Sequence, residues 1–244
     1  MSKLHLHHLE NSRSFRILWL LEELDLPYQL TKYERIHGLA PKSLAAIHPL
    51  GKAPILQDST QHTTLTDSNN QSAPKTLVES AHIIEYVLDH YDGLADSQTQ
   101  SPLQLATHKQ FRPDYGSAAY EKYRYWLHFT ESSLMPLLII RLLFATMIQK
   151  SPIGIKQVAK LLNKGIEKSY VNHSLEQQLA YLDTHLGKHE WLAGTQFTGA
   201  DIQLEFAINA MATTNSLDKK YTNIHNWLNK CHSRPAYTVA QTKK

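Results

Sequence analysis

The chain has 244 residues, of which 42% are hydrophobic and 19% charged, with a formal net charge of +3. That composition excludes a disordered chain and leaves room for one large domain or two small ones. Its basic residues are scattered rather than striped, so no nucleic-acid partner is expected, and a single cysteine, Cys231, excludes an internal disulfide and every CxxC motif and suits a reducing, cytoplasmic compartment.

The opening KLHLHHL alternates apolar and polar residues, as a half-buried strand does. No charged-then-apolar leader is read there. His5 and His7 alternate with Leu4 and Leu6 on that strand, and no HxxxH or HExxH spacing falls on a predicted helix, so no metal site is expected. SRSFRILWLLEELDLPY follows, with Ile17, Leu20, Leu21 and Leu24 on one helical stripe, Glu22 and Glu23 off it, and Pro27 as its stop. YQLTKYE predicts a second strand, completing a βαβ unit.

Two short β-like runs come next, PILQD and TLVES. The polar stretch between them, STQHTTLTDSNNQSAPK, reads as a loop, far longer than a usual hairpin connection of 2–5 residues. SAHIIEYVLDHY then places Ile84, Val87, Leu88 and Tyr91 on one helical face. Beyond a polar, proline-containing segment the pattern is helical throughout. A long helix runs through AAYEKYRYWLHFTESSLMPLLIIRLLFATMI with a kink at Pro136. Its apolar part, interrupted by Arg141 and Pro136, falls short of the ~20 residues a membrane span needs and predicts a buried helix; no membrane partner is expected. A second helix covers IKQVAKLLNKGIEKSYVNHSLEQQLAYLDTHL, a third starts at FTGADIQLEFAINA, and IHNWLNKCHSRPAY closes the set. Thr198 and Asp201 form a capping-box-like start with Asp in place of Glu, a folding element rather than a site.

Five stretches, SRSFRILWLLEELDLPY, HPLGKAPIL, LVESAHIIEY, YWLHFTESSLMPLL and FTGADI, together resemble the cytosolic glutathione transferases, of the serine-type, bacterial- and fungal-like kind. The resemblance implies α/β plus all-α architecture: a thioredoxin-like glutathione-binding domain (βαβ-ββα) over residues 1–95, carrying a hairpin insertion at about 59–75, a linker over 96–116, and a helical bundle over 117–244. It also implies a homodimer and no bound cofactor, with glutathione and a small electrophile as substrates.

The same resemblance assigns residues. Pro54 would follow a cis peptide bond, and Ala53 would offer its backbone to the cysteinyl part of glutathione like an added strand. Glu79 would pair with the α-amino group, and Ser80, at a helix N-terminus, would hold the γ-glutamyl carboxylate. Lys52 would meet the glycyl carboxylate, with His37, Arg35 and His48 behind it. His48 stands where the family usually has Asn, a departure from the pattern. The second substrate would lie near Tyr123, Trp126, Phe129 and Ser133.

For the thiol itself the family uses a tyrosine, serine or cysteine after the first strand, and NSRSFR has neither Tyr nor Cys. Counting back four from Arg16 gives Ser12, with Ser14 and Asn11 as alternatives. A thiol of pKa about 8.5 is roughly 3% ionised at pH 7, and lowering it by about 2 units takes about 2.7 kcal/mol. A hydrogen bond to a charged group supplies about 1.5–3 kcal/mol and a helix N-terminus about 0.3–1. A serine at a helix start therefore suffices. The expected activity is attack of the glutathione thiolate on an electrophilic carbon or on a hydroperoxide. The alternative is a non-catalytic binding or interaction protein on the same fold; a thiol-transfer enzyme is disfavoured because Cys231 lies in the last helices.

Overall fold

The structure is a computed structural model that describes residues 3–66, 72–92 and 110–244. Its contacts divide into two compact units, Met1–Pro113 with Lys230–Lys244, and Asp114–Asn229. Much of the expected linker, and the turn of the expected hairpin insertion, lie outside the described residues.

The first unit is built on a four-stranded sheet of β1 (Leu4–Leu9), β2 (Tyr28–Tyr33), β3 (Ile55–Thr66) and β4 (Ser72–Val78), in the order β2-β1-β3-β4. β1 and β2 are parallel; the other two pairings are antiparallel. This is the βαβ-ββα arrangement the sequence predicted, with helix α1 (Ser14–Glu23) as the crossover and α2 (Ser80–Tyr91) closing the unit. Within the polar stretch expected to be a loop, residues 59–66 and 72–75 instead continue the two strands as a ribbon with register shifts after Asp58 and His62. Its threonine content supports extended backbone.

α1 ends at Glu23, four residues before Pro27. Asp25 adopts φ 51°, Leu26 N–H bonds back to the Leu21 carbonyl at 3.0 Å, and Asp25 N–H to Glu22 at 3.3 Å. These paired bonds around a left-handed residue close the helix without help from the proline. Glu23, expected off the apolar stripe, is buried. It accepts from Trp19 Nε1 at 3.0 Å and from Arg234 Nε and Nη2 at 2.5 and 2.7 Å. Arg234 leads into the last helix (Pro235–Lys243), whose Tyr237 sets its ring edge-on to Phe15 and Trp19 at 5.4 and 5.0 Å. Residues 230–244, read from sequence as part of the helical bundle, thus pack within the sheet-bearing unit. Cys231 is buried among them and forms no disulfide.

The second unit contains α3 (Ala118–Phe129), α4 (Met135–Lys150), α5 (Ile153–Ile166), α6 (Asn172–Leu186) and α7 (Gly199–Thr213). α8 (Thr222–His232) crosses the boundary between the units. The long helix widens into a five-residue π turn at Thr130–Leu134, just ahead of Pro136, whose missing N–H removes a bond from the helical ladder there. A second π turn, Glu167–Val171, splits α5 from α6. α3 and α7 pack together at the centre.

The capping box at the start of α7 is present in both directions. Asp201 is fully buried and accepts four hydrogen bonds: from Thr198 N–H and hydroxyl at 2.9 and 3.0 Å, Leu192 N–H at 3.1 Å and Trp227 Nε1 at 2.9 Å. It joins the helix start to two other segments of the same unit.

One expectation fails in this unit. The apolar run in α4 is not a buried helix: Ile139, Leu142, Leu143 and Met147 are exposed. By length and composition the continuous helical stretch Ala118–Lys150 could cross a membrane, and only 17% of its most apolar window is buried. Periodicity identified an apolar helix, but it does not report whether a neighbour covers it.

Candidate active site

Strand register gathers the expected site residues at one end of the sheet. β1 pairs His7 with Ile55 in antiparallel sense, so continuing the register sets Leu9 opposite Ala53. β3 pairs Ile55 with Val78, which sets Pro54 opposite Glu79. The start of α1, the Ala53–Pro54 peptide and the start of α2 therefore meet at the same edge.

The Ala53–Pro54 bond is cis, as the resemblance implied. Ala53 lies just outside both paired registers, which begin at Ile55. Pro54 is buried, Ala53 half-buried and Lys52 exposed. Glu79 is exposed and holds φ 69°, ψ 118°, a conformation side-chain-bearing residues rarely adopt and one that costs about 1–3 kcal/mol. Such a backbone, at a residue whose carboxylate faces solvent, marks a place where position matters more than stability.

Ser80 is the first residue of α2 and is buried. Its hydroxyl accepts from Arg16 Nη1 at 2.9 Å. Arg16 itself, on α1, has no exposed surface. The sequence reading used Arg16 only as a marker for counting; its tie to Ser80 was missed because an arginine on a helix ordinarily reads as solvated.

The three thiol candidates separate clearly. Asn11 is exposed at φ 48°, its carbonyl accepting from Arg35 Nη2 at 3.1 Å, while Arg35 N–H donates to Glu10 Oε1 at 2.9 Å. Arg35 therefore orders the loop after β1. Ser12 and Ser14 are coupled: their hydroxyl oxygens are 2.7 Å apart, and Ser14 N–H donates to Ser12 Oγ at 3.2 Å. Both are buried, Ser12 with 8% exposure and Ser14 with none. Ser12 Oγ also donates to the Leu9 carbonyl at 2.8 Å.

Behind them stands His8, which sequence alone did not single out. It is buried on β1 with Nδ1 at 2.9 Å from Ser14 Oγ. Burial, helped by the charges of Lys32 and Lys244 and opposed by the hydrogen bond to Ser14, pulls its imidazole down to about 4, so it is neutral at pH 7. Alternation had placed His5 and His7 on the polar face and left His8, next to the apolar Leu9, without a role.

In the helical unit Tyr123 and Trp126 are buried, each 1% exposed. Trp126 stacks on Tyr181 at 5.4 Å and packs against His185 at 4.8 Å. They are core residues. Phe129 and Ser133 instead line an open groove of about 620 Å³, with Tyr115, Tyr120, Arg124 and Tyr125 on its other walls.

The geometry can be set beside known proteins. Residues 12–90 match the family model for the glutathione S-transferase N-terminal domain, and residues 137–235 that for the C-terminal domain. Glutathione S-transferase 3 of Schizosaccharomyces pombe is 34% identical over 238 residues, covering 98% of this chain and 86% of that protein. A glutathione S-transferase from Actinobacillus pleuropneumoniae is 31% identical in sequence and superposes with a TM-score of 0.70, covering 98% of this chain and 92% of that one. A glutathione transferase homologue from Lodderomyces elongisporus, crystallised with two glutathione molecules per subunit, superposes with a TM-score of 0.71 at 17% identity, covering 98% of each chain. With both domain models matched in order, a relative of this identity spanning nearly the whole chain, and the cis-proline edge in place, the protein belongs to the glutathione S-transferase family.

Proposed function

We propose that the protein is a glutathione transferase of the serine type, in which Ser12 donates a hydrogen bond to the glutathione thiolate. The thiolate attacks an electrophilic carbon, forming a C–S bond while the leaving group departs with the bonding electrons. The tripeptide lies along the sheet edge: its cysteinyl backbone against Ala53, its α-amino group on Glu79, its γ-glutamyl carboxylate at Ser80 and the N-terminus of α2, its glycyl carboxylate toward Lys52. The electrophile takes the groove lined by Phe129 and Ser133. The reading includes a homodimeric, cytoplasmic protein, which family membership supports.

The observation that carries this proposal is the chain of contacts from His8 through Ser14 to Ser12. His8 Nε2 is buried and makes no hydrogen bond among the described residues. A proton there would be a donor without an acceptor, the costlier arrangement, so we assign the proton to Nδ1. His8 Nδ1 and Leu9 N–H then both donate to Ser14 Oγ, at 2.9 and 3.1 Å. With Ser14 Oγ accepting both, its own hydrogen has two acceptors in reach, Ser12 Oγ at 2.7 Å and the Leu9 carbonyl at 3.1 Å; we assign it to Ser12, the shorter of the two, which leaves the Ser12 hydrogen to turn from the Leu9 carbonyl toward sulfur. In that arrangement Ser12 is the donor that a thiolate requires. The start of α1 lies two residues beyond, adding its positive end.

The test is conjugation of glutathione to a chromogenic aryl halide. Ser12→Ala should lower kcat by about 30- to 100-fold, the loss of one hydrogen bond to a charged sulfur. Glutathione binding without turnover in the unmodified protein, across several electrophile classes, would instead favour a binding protein.

A further inference from the structure

One side chain joins two left-handed turns of the sheet-bearing unit. The first turn is the loop after β1, where Asn11 holds φ 48° immediately before Ser12. The second follows β2. There Ile36 and Leu39 exchange backbone bonds in both directions, at 2.9 and 3.0 Å, around His37 at φ 52° and Gly38 at φ 80°. Positive φ at both central residues makes this a tight two-residue turn of the I′ form. Arg35, half-buried, reaches both. Its Nη2 donates to the Asn11 carbonyl at 3.1 Å and its Nη1 to the Gly38 carbonyl at 3.2 Å. Its backbone N–H donates to Glu10 Oε1 at 2.9 Å, and Glu10 N–H in turn to the Tyr33 carbonyl at 3.0 Å.

The peptide unit is planar, so the Asn11 carbonyl and the Ser12 N–H turn together. Holding that carbonyl fixes the plane from which Ser12 Cα departs, and Oγ stands two bonds beyond that Cα. Asparagine tolerates the left-handed region, but such a residue keeps its place only as firmly as its surroundings hold it. A planar guanidinium fork can span two carbonyls at once, where an ammonium offers one point charge. Both terminal nitrogens of Arg35 are thus directed at main-chain carbonyls. A glycyl carboxylate, for which the family resemblance set Arg35 behind Lys52, would have to compete with those bonds.

We propose that Arg35 is a positioning residue for the thiol chemistry. It clamps the Asn11–Ser12 peptide to the turn at His37 and Gly38, and so keeps Ser12 Oγ where it donates to the glutathione sulfur. The inference rests on the reading of Ser12 given above. A displacement of about 1 Å at a reacting contact costs up to about 100-fold in rate, so a residue that touches no substrate governs kcat.

The experiment compares the unmodified protein with Arg35→Ala, Arg35→Lys, Ser12→Ala and the Arg35→Ala, Ser12→Ala double variant. Each is assayed with glutathione and with γ-glutamylcysteine, which lacks the glycyl carboxylate, and the bound thiol is titrated by its ultraviolet absorbance. Arg35→Ala should lower kcat about tenfold with either thiol, keep both KM values within about threefold, and move the thiol's titration up toward its free value. Free guanidinium, well below denaturing concentrations, should restore part of the Arg35→Ala rate, and methylammonium should not. Arg35→Lys should remain close to Arg35→Ala. In the double variant the Arg35 change should add little to the loss from Ser12→Ala, because both act on one contact. Should Arg35→Ala not fold, Arg35→Gln, which keeps one amide donor, should show an intermediate loss of kcat. A KM raised about tenfold for glutathione but unchanged for γ-glutamylcysteine places Arg35 on the glycyl carboxylate and overturns the proposal. An unchanged kcat and titration overturn it too, as does a fully additive loss in the double variant. A slow Ser12→Ala beside a parent-like Arg35→Ala removes the clamp alone, whereas Ser12→Ala at the parent rate removes the reading of Ser12 itself.

Discussion

Arg16 Nη1 donates to Ser80 Oγ at 2.9 Å across 64 residues of sequence, and both side chains are buried. This bond joins the first turn of α1 to the first residue of α2, so the helix start beside Ser12 and the one that holds Ser80 are set with respect to each other. Arg16→Lys keeps the charge but replaces a planar fork with a flexible ammonium. The glutathione KM should rise about tenfold, which corresponds to about 1.4 kcal/mol, with kcat changing far less. Steady-state kinetics with glutathione varied separates the two parameters.

Glu79 combines a costly backbone conformation with an exposed carboxylate. Glu79→Gln leaves the backbone cost and removes the charge, so the glutathione KM should rise at least tenfold, an effect of about 1.5–3 kcal/mol. Glu79→Gly should show a comparable binding loss while raising the free energy of unfolding by about 0.5–2 kcal/mol, because glycine takes positive φ at little cost. Urea unfolding beside kinetics tests the pair. A Glu79→Gly protein that is less stable than the parent contradicts the account.

His8 acts through Ser14 and Ser12 rather than on glutathione. His8→Phe removes the first donor of the chain and should raise the pKa of bound glutathione by about 0.5–1 unit, with the KM for glutathione unchanged. His8→Asn, whose amide can donate from nearly the place of Nδ1, should restore most of the shift. A purely structural role for His8 would lower stability in both variants without moving the thiol's titration.

Burial raises the Asp201 carboxyl to about 6 against the pull of its four hydrogen bonds, which favour the charged form. Its folded pKa lies above the unfolded value of 3.8, so its contribution is fully present below about pH 4 and is lost as pH rises through about 6. The stability advantage of the unmodified protein over Asp201→Asn should shrink across this window by about 2–3 kcal/mol. Asp201→Ala, which strands the Leu192 amide and the Trp227 indole N–H, should cost on the order of 3–5 kcal/mol at neutral pH. Denaturant unfolding at a series of pH values measures both.

Asp58 runs the opposite way. Burial alone would raise its carboxyl, but bonds from Tyr91, Thr60 and Tyr86 hold it below its usual value. Its stabilising contribution is therefore present at neutral pH and lost on acidification, which is why the Asp201 effect is read as a difference between two proteins.

The sequence carried the local features well. Alternation found β1, the Ser80 start of α2 came with its apolar face, and Thr198 with Asp201 signalled the cap of α7; each depends on neighbours within a turn or a strand. What escaped it depends on partners far along the chain. Glu23 reads as solvated until Arg234 arrives 211 residues later. Arg16 reads as an exposed helix charge until the sheet brings Ser80 beside it. Tyr123 and Trp126 form an aromatic stripe at helical spacing, and spacing does not distinguish a core from a pocket; they went to the core while Phe129 and Ser133 reached the groove. The apolar α4 reads as buried for the same reason, since a pattern shows which face is apolar but not what lies against it. His8 had no sequence signal at all, because a histidine beside leucines acquires its role only when Ser14 folds back onto it.

The central claim is that Ser12 stabilises the glutathione thiolate. The direct measurement is the ultraviolet thiolate absorbance of glutathione bound to the protein, titrated from about pH 5 to 9, with Ser12→Ala in parallel. The account predicts that the bound thiol ionises about two units below its free value of about 8.5, and that the variant binds glutathione but loses the shift. A bound thiol that titrates like free glutathione, or a shift that survives in Ser12→Ala, contradicts it.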